Sequence, residues 1–225
     1  MRGPAIGLLY NCHVAYYPIF VEMQGRRTLV VGGGKVAQEK IAGLLAAGAA
    51  ITVLAPQLSE KLQALAAAGT IAHQPRAYYD GALAGFEVCF VATDDGAVNA
   101  AVAAEGKRAG IWVNAADDPA NCDFILPSVV RQGDVVVAAS TGGASPALAR
   151  RLREDLTAFL SDDYAPLAAL LREVRADVRT RNLTLDAETW QIAIDGRFRA
   201  LVAQRRIDEA RAYLYDRLGI TGGAP

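Results

Sequence analysis

The stretch RRTLVVGGGKVAQEKIAGLLAAGAAITVLAP, residues 26–56, most constrains what this chain can become. Thr28 to Val31 is a short β-branched and apolar run, which reads as a buried strand. Three glycines follow. Val36, Ile41, Leu44 and Leu45 then recur at helical spacing, and Gly48 ends the helix. The run AITVLAP is a second buried strand, stopped by Pro56. Strand, helix and strand in about 30 residues form a βαβ unit, whose crossover makes the strands parallel neighbours.

Within that unit Gly32, Gly34 and Ala37 fit the pattern G-x-G-x-x-G/A. Gly32 permits the tight turn after the strand. Gly34 lets the backbone approach a pyrophosphate, and Ala37 lets the helix lie close to the sheet. The helix start then offers N–H groups and positive dipole to phosphates. The alternative is a glycine-rich turn that only packs. The second strand departs from the common pattern: it ends TVLAPQL, without the carboxylate that usually takes the ribose hydroxyls. No Arg stands near to accept a 2′-phosphate, and Lys61 is the nearest cation. Backbone around Pro56 and Gln57 would have to contact the ribose, and NAD is favoured over NADP.

The same alternation continues. LSEKLQALAAAG is a helix with Ser59 as its expected cap, TIAHQ a short strand, and FEVCFVATDD a strong strand ending in acid. AVNAAVAAEGKRAG is a helix and IWVNAA another strand. Continuous apolar strands alternating with helices predict a doubly wound, Rossmann-like α/β domain on a parallel sheet. After Phe124 the pattern changes. FILPSVVRQGDVVVAAST reads as an antiparallel hairpin turning at QGD. SPALARRLREDLTAFL is a helix with Ser145 as cap and Pro146 in the first position. From Tyr164 onward APLAALLREVRADVRTRN, TWQIAI and RRIDEARAYLYDRLG read as helices. The expected division is a dinucleotide-binding domain over 1–123, a hairpin-plus-helix connector that dimerises over 124–160, and a small helical domain over 161–225.

Composition excludes several classes. A net charge of −1 and a pI near 6.1 give no basic field for nucleic acid. No apolar run approaches the roughly 20 residues of a membrane span. Cys12, Cys89 and Cys122 are odd in number and widely spaced, which points to reduced thiols in a cytoplasm.

Four segments carry a family resemblance: YPIFVEMQGRRTLVVGGGKVAQEK, VATDDGAVN, VNAADDPANCDFILPS and VAASTGGASPALARRLRE. Their order and spacing resemble the precorrin-2 dehydrogenase / sirohydrochlorin ferrochelatase family of sirohaem synthesis, from Tyr17 to Leu160. The helices beyond resemble it only loosely. The resemblance implies NAD-dependent oxidation of precorrin-2 to sirohydrochlorin, and in many members insertion of ferrous iron to give sirohaem. It implies a Rossmann domain, exchanged strands in a homodimer, and a small helical domain. The family's aspartate lies in Asn-x-x-Asp-x-Pro, here Asn114-Ala-Ala-Asp117-Asp118-Pro119, so its catalytic role falls on Asp117. Cofactor contacts fall near Lys35, Val36, Pro56 and Gln57, and at the turn Thr93, Asp94, Asp95. A serine used near substrate in some members is Thr141 here, with Asn114 also on the substrate side. Many bacterial relatives carry a C-terminal methyltransferase. These 225 residues hold none, so methylation is expected from a separate protein.

On the residues alone, Asp117 is either an Asx-type turn before Pro119 or a general base at the carboxyl edge of the sheet, where open α/β sheets bind ligands. Asp118 reads as its solvated turn neighbour. A tetrapyrrole with eight carboxylates calls for cations and anion-binding backbone. Gly142, Gly143, the helix start at Ser145, and Arg150 offer both, with Arg151 and Arg153 as further cations. Three arginines on one helix are also what a solvated, ion-paired face contains. The histidines, His13 and His73, make no cluster with metal-ligand spacing, so no resident metal is expected and ferrous iron enters only as substrate. The apolar hairpin would be marginal alone and predicts a homodimer. Two other functions fit the glycines: a different NAD(P)-dependent oxidoreductase, and a non-catalytic dimeric NAD-sensing module.

Overall fold

The computed structural model describes residues 16–116 and 118–220. The chain divides into two compact units, Met1–Ile125 and Leu126–Pro225.

The first unit runs β1 (Arg27–Val31), α1 (Lys35–Ala46), β2 (Ala50–Leu54), α2 (Glu60–Ala67), β3 (Ala72–Gln74), β4 (Val88–Val91), α3 (Gly96–Ala109) and β5 (Trp112–Ala115). A 3-10 turn, Pro119–Asn121, follows. The five strands are all parallel, in the order β3-β2-β1-β4-β5. The order reverses between β1 and β4, so the carboxyl ends of these neighbours open a crevice between their following loops. Alternate side chains feed two cores. Val30, Ile51, Val53 and Phe90 pack with Ala37, Ile41 and Leu62 on one face. Leu29, Val31, Leu54, Val91 and Val113 pack with Leu83 and Val102 on the other. Burial on both faces is why these strands read as unbroken apolar runs.

The second unit opens with the expected hairpin, β6 (Ser128–Gln132) antiparallel to β7 (Val135–Ala139). Gly133 takes the left-handed backbone of the turn at φ 58°. Five helices follow: α4 (Pro146–Phe159), α5 (Tyr164–Thr180), α6 (Ala187–Ala193), α7 (Gly196–Ala203) and α8 (Ile207–Arg217). Helix α4 lies on both hairpin strands, and α5 reaches β7. Leu167, Leu170, Val174, Phe198, Val202 and Leu214 close a separate core among the later helices.

Two local details differ from the sequence expectation. Ser59 stands at the start of α2, but its hydroxyl makes no capping bond and instead donates to Gln38 Oε1 at 3.5 Å. The segment GRFRALVA was not singled out as a helix, yet it forms α7. Asp195 caps it by accepting from Phe198 N at 2.9 Å. Among the described residues no helix is long and apolar enough to cross a membrane.

Candidate functional site

The loop from β1 to α1 is held by backbone on two sides. Gly32, at φ 115°, stands where a Cβ would collide with the carbonyl of Ala92 after β4. Gly33 stands where a Cβ would collide with the carbonyl of Gln57 after β2. Its own carbonyl accepts from Ser59 N at 2.8 Å. Gly34 differs: a Cβ there would meet nothing within 4 Å. Its open side faces solvent at the head of α1, where the backbone is bare.

The helix starts on this edge are not equivalent. Helix α3 is capped by Asp95, whose Oδ1 accepts from Ala97 N at 2.9 Å and Val98 N at 3.2 Å. Helix α1 begins at Gly34 with no side-chain cap and no acidic residue in its first turn. A carboxylate already sits on the α3 terminus, whereas the α1 terminus offers its N–H groups and dipole to an external anion. The cradle around Gly32 to Gly34 therefore fits a pyrophosphate, and Lys35 and Val36 are exposed at its rim.

The β2 end also fits a dinucleotide without a carboxylate. Pro56 and Gln57 are exposed there and border a cleft of about 370 Å³, with Leu58, Gln63, Ala66 and His73 as its other walls. No Asp, Glu, Lys or Arg lines it. His73 Nε2 is bonded to the carbonyl of Ala55 at 2.9 Å, a structural role. At the β4 end, Thr93 Oγ1 donates to Asn99 Oδ1 at 2.9 Å and accepts from Asp95 N at 3.3 Å, shaping the turn. Asp94 is exposed beside it.

The loop beyond β5 is tied down from both ends. Asp123 N donates to Val113 O and its Oδ2 accepts from Val113 N, each at 2.8 Å. Asp118 Oδ2 accepts from Asn121 Nδ2 at 2.7 Å, so Asp118 is a turn brace and not only a solvated neighbour. The Cys122 thiol donates to Ala115 O at 3.1 Å, and burial pushes its pKa up, so it stays a neutral thiol. Asp117 lies outside the described residues, as do Cys12 and His13. Its neighbours do not: Ala116 N donates to Val91 O at 2.9 Å, which places the start of the loop at the carboxyl end of β4.

Asn114 corrects one expectation. It is 5% exposed, and its Nδ2 donates to Phe124 O at 2.9 Å while its Oδ1 accepts from Lys40 Nζ at 3.1 Å. A buried amide with both ends taken is a brace and is not offered to substrate. The sequence pattern had passed over Lys40, which leaves α1 to reach it, and Gly33. The signal for Lys40 was a cation adjoining the buried Ile41 on the helix that faces the sheet.

The substrate-side candidates of the second unit cluster among themselves. Gly142 and Gly143 take left-handed backbone at φ 62° and 88°, with open space where a Cβ would be. Thr141 does not present a free hydroxyl: Oγ1 accepts from Ser145 N at 3.2 Å and donates to Ser145 O at 3.3 Å. Ser145 Oγ accepts from Leu148 N at 3.2 Å, so it is the expected cap and its oxygen is used. Arg150 is exposed and pairs with Glu154 at 3.3 Å, and Arg151 pairs with Asp155. Such exposed pairs exchange readily for another anion.

Two family models match the chain, one described as putative NAD(P)-binding over residues 19–128 and one as sirohaem biosynthesis protein central over residues 132–158. The siroheme synthase of Photorhabdus laumondii is 38% identical over 205 residues, which are 90% of this chain and 44% of that protein. The siroheme synthase of Methylococcus capsulatus is 39% identical over 203 residues, 89% of this chain and 43% of that protein. The chain thus spans less than half the length of these curated relatives. A solved structure named SirC, precorrin-2 dehydrogenase, superposes with a TM-score of 0.71 at 31% identity, covering 88% of this chain and 99% of that one. A nicotinamide-binding first unit, a sirohaem-biosynthesis segment after it, and a likeness running the whole length of a solved dehydrogenase put the chain in the precorrin-2 dehydrogenase family.

Proposed function

We propose that the protein oxidises precorrin-2 to sirohydrochlorin with NAD+ as acceptor, in the making of sirohaem. The observation that carries this reading is the uncapped, glycine-led start of α1 on the same sheet edge as the braced loop after β5. One offers an anion cradle, the other a rigid frame for a carboxylate. Family membership supplies the substrate class. Gly32, Gly34, Lys35, Val36, Pro56, Gln57, Thr93 and Asp94 are the proposed cofactor contacts.

When bound, the dinucleotide accepts the hydride. The protein's own part is to hold the ring and to take the proton. Asp117 is proposed as that general base, and Asn114 as the brace of its loop. The exposed backbone at Gly142 and Gly143 and the guanidinium of Arg150 are proposed to receive carboxylates of the tetrapyrrole. No Lys or Arg lines the cleft at Pro56 and Gln57, which supports NAD over NADP, because a 2′-phosphate is usually met by such a cation. Ferrous iron is proposed as a second substrate. The tetrapyrrole nitrogens would be its final ligands, and Asp117 would accept the displaced protons. The hairpin is proposed to join two copies. Leu126, Val129, Leu148 and Phe159 are exposed apolar side chains on it and on its helix.

The test is direct. Anaerobic precorrin-2 and NAD+ are mixed with the protein, and NADH and sirohydrochlorin are followed together. Equimolar appearance of both is expected, and no NADH would sink the reading. Ferrous iron added afterwards should give sirohaem if the chain also chelates. Light scattering at micromolar concentration should give a dimer.

A further inference from the structure

Thr93 stands just past the carboxyl end of β4, against the glycine loop that follows β1. The two strands are neighbours where the sheet order reverses, so their ends border the crevice. Backbone fixes both sides of it. Ala92 N donates to Val31 O at 2.8 Å, and Gly32 N donates to Leu54 O at 3.0 Å. A Cβ on Gly32 would lie 3.4 Å from Thr93 Cγ2, so the threonine methyl lies beside the bare face of that glycine. The hydroxyl is turned into the β4–α3 turn instead. Its oxygen accepts from Asp95 N at 3.3 Å. Its one hydrogen has acceptors at Asn99 Oδ1, 2.9 Å away, and at Asp95 O, 3.4 Å away. Oxygen and methyl share one Cβ, so a single torsion, χ1, sets both. Whatever holds the oxygen aims the methyl.

Asn99 is the nearest of those partners, and it is an unusual residue for its place. It lies buried in the first part of α3. Asn is a poor helix former, and its side chain is costly to bury unless the amide is bonded. It is not the helix cap, because Asp95 Oδ1 already takes Ala97 N and Val98 N. Its backbone is served by the helix, with Asn99 N donating to Asp95 O at 3.0 Å. What its side-chain oxygen does is accept from Thr93.

We propose that Asn99 is a positioning residue for the dinucleotide crevice: it holds the Thr93 hydroxyl in the turn, so that Thr93 meets the Gly32 loop with its methyl and offers the cofactor no hydroxyl. This rests on the reading of the Gly32 to Gly34 loop as the pyrophosphate cradle. Loss of the Asn99 acceptor frees χ1. The hydroxyl can then swing toward Gly32, and the loop loses the methyl beside it.

Two substitutions at Thr93 separate methyl from hydroxyl. Thr93→Ser keeps the hydroxyl and removes the methyl, and Thr93→Val does the reverse. Support from one packed methyl is worth about 2–10-fold in an equilibrium constant. Isothermal titration should therefore show Thr93→Ser binding NAD+ about 2–10-fold more weakly than wild type, with Thr93→Val closer to wild type than Thr93→Ser. A hydroxyl that contacted the cofactor would give the opposite order. That order, or no difference between the two, overturns the proposal. Asn99→Ala should weaken NAD+ binding to the extent that Thr93→Ser does. On the Thr93→Val background there is no hydroxyl to orient, so the same change should add less than about twofold. Asn99→Leu, of similar shape and without an acceptor, takes its place where Asn99→Ala does not fold. A merely structural role would lower the thermal transition and weaken binding equally on both backgrounds, which overturns the assignment of Asn99. Gly34→Ala is titrated in parallel. NAD+ bound equally well by wild type and Gly34→Ala would fell the cradle reading and this proposal with it. Weakened binding in Gly34→Ala beside a reversed order of the Thr93 variants fells only the roles of Thr93 and Asn99.

Discussion

Gly33 and Gln57 touch through their backbones: a Cβ on Gly33 would run into the Gln57 carbonyl, and Ser59 N donates to Gly33 O at 2.8 Å just beyond. This contact joins the loop after β1 to the loop after β2. The middle glycine of GGG is therefore needed by the fold just as Gly32 is, although the dinucleotide fingerprint assigns it no role.

Gly33→Ala should cost about 1–3 kcal/mol of stability, the usual cost of forcing a methyl into packed backbone. Its backbone is not left-handed, so the cost is steric. Urea denaturation checks it. A midpoint equal to wild type would mean that the two loops separate without penalty.

Gly34→Ala should do the reverse. With nothing within 4 Å of the added methyl and φ −88°, the fold should change by no more than about 0.5 kcal/mol. The methyl would instead occupy space at the uncapped start of α1. NAD+ should bind at least about tenfold more weakly, a loss of roughly 1.4 kcal/mol. Isothermal titration with NAD+ reads it directly, and unchanged binding would remove the phosphate from this cradle.

The contrast between these glycines marks what the sequence could and could not convey. The βαβ unit, the parallel sheet and the hairpin were legible because period and turn residues are local properties. Ser145 as a cap was legible for the same reason. Ser59 takes the cap position as expected, but its hydroxyl makes no capping bond and turns to Gln38, 21 positions away along the chain. Asn114 looked available to substrate because nothing in VNAADDP reveals that Lys40, 74 positions earlier, takes its oxygen. Thr141 is taken up more locally, by the backbone of Ser145 four positions on. Polar side chains are spoken for by partners that only the fold brings near, and hydrophobic patterning carries no record of them.

Asp117→Asn should lower oxidation by at least about 100-fold, the low end of what a positioned general base contributes. Asn is isosteric and Asp118 and Asp123 keep their own braces, so the thermal transition and NAD+ affinity should hold. Stopped-flow formation of NADH with precorrin-2 gives the rate. Near-normal turnover would remove Asp117 from the proton path.

The second unit should be acid-sensitive through its helix-bridging carboxylates. Asp177 Oδ2 accepts from Tyr215 OH at 2.8 Å and pairs with Arg181 Nε at 2.9 Å, and these hold its carboxyl below the ordinary range. Tyr213 OH and Phe198 N do the same for Asp195. A carboxyl depressed in the folded state stabilises above its unfolded pKa of about 3.9, and that contribution is lost as pH falls through the folded value. Stability should therefore be level from neutrality to about pH 5 and decline below about pH 4. Tyr215 mirrors this on the alkaline side: burial first, and then Asp177, push its hydroxyl up, so its contribution fades as pH rises past about 10. Tyr215→Phe removes both couplings. It should lower stability at pH 7 while flattening both limbs of a plot of thermal midpoint against pH. Limbs as steep as those of wild type would show that the acid transition has its origin in other groups.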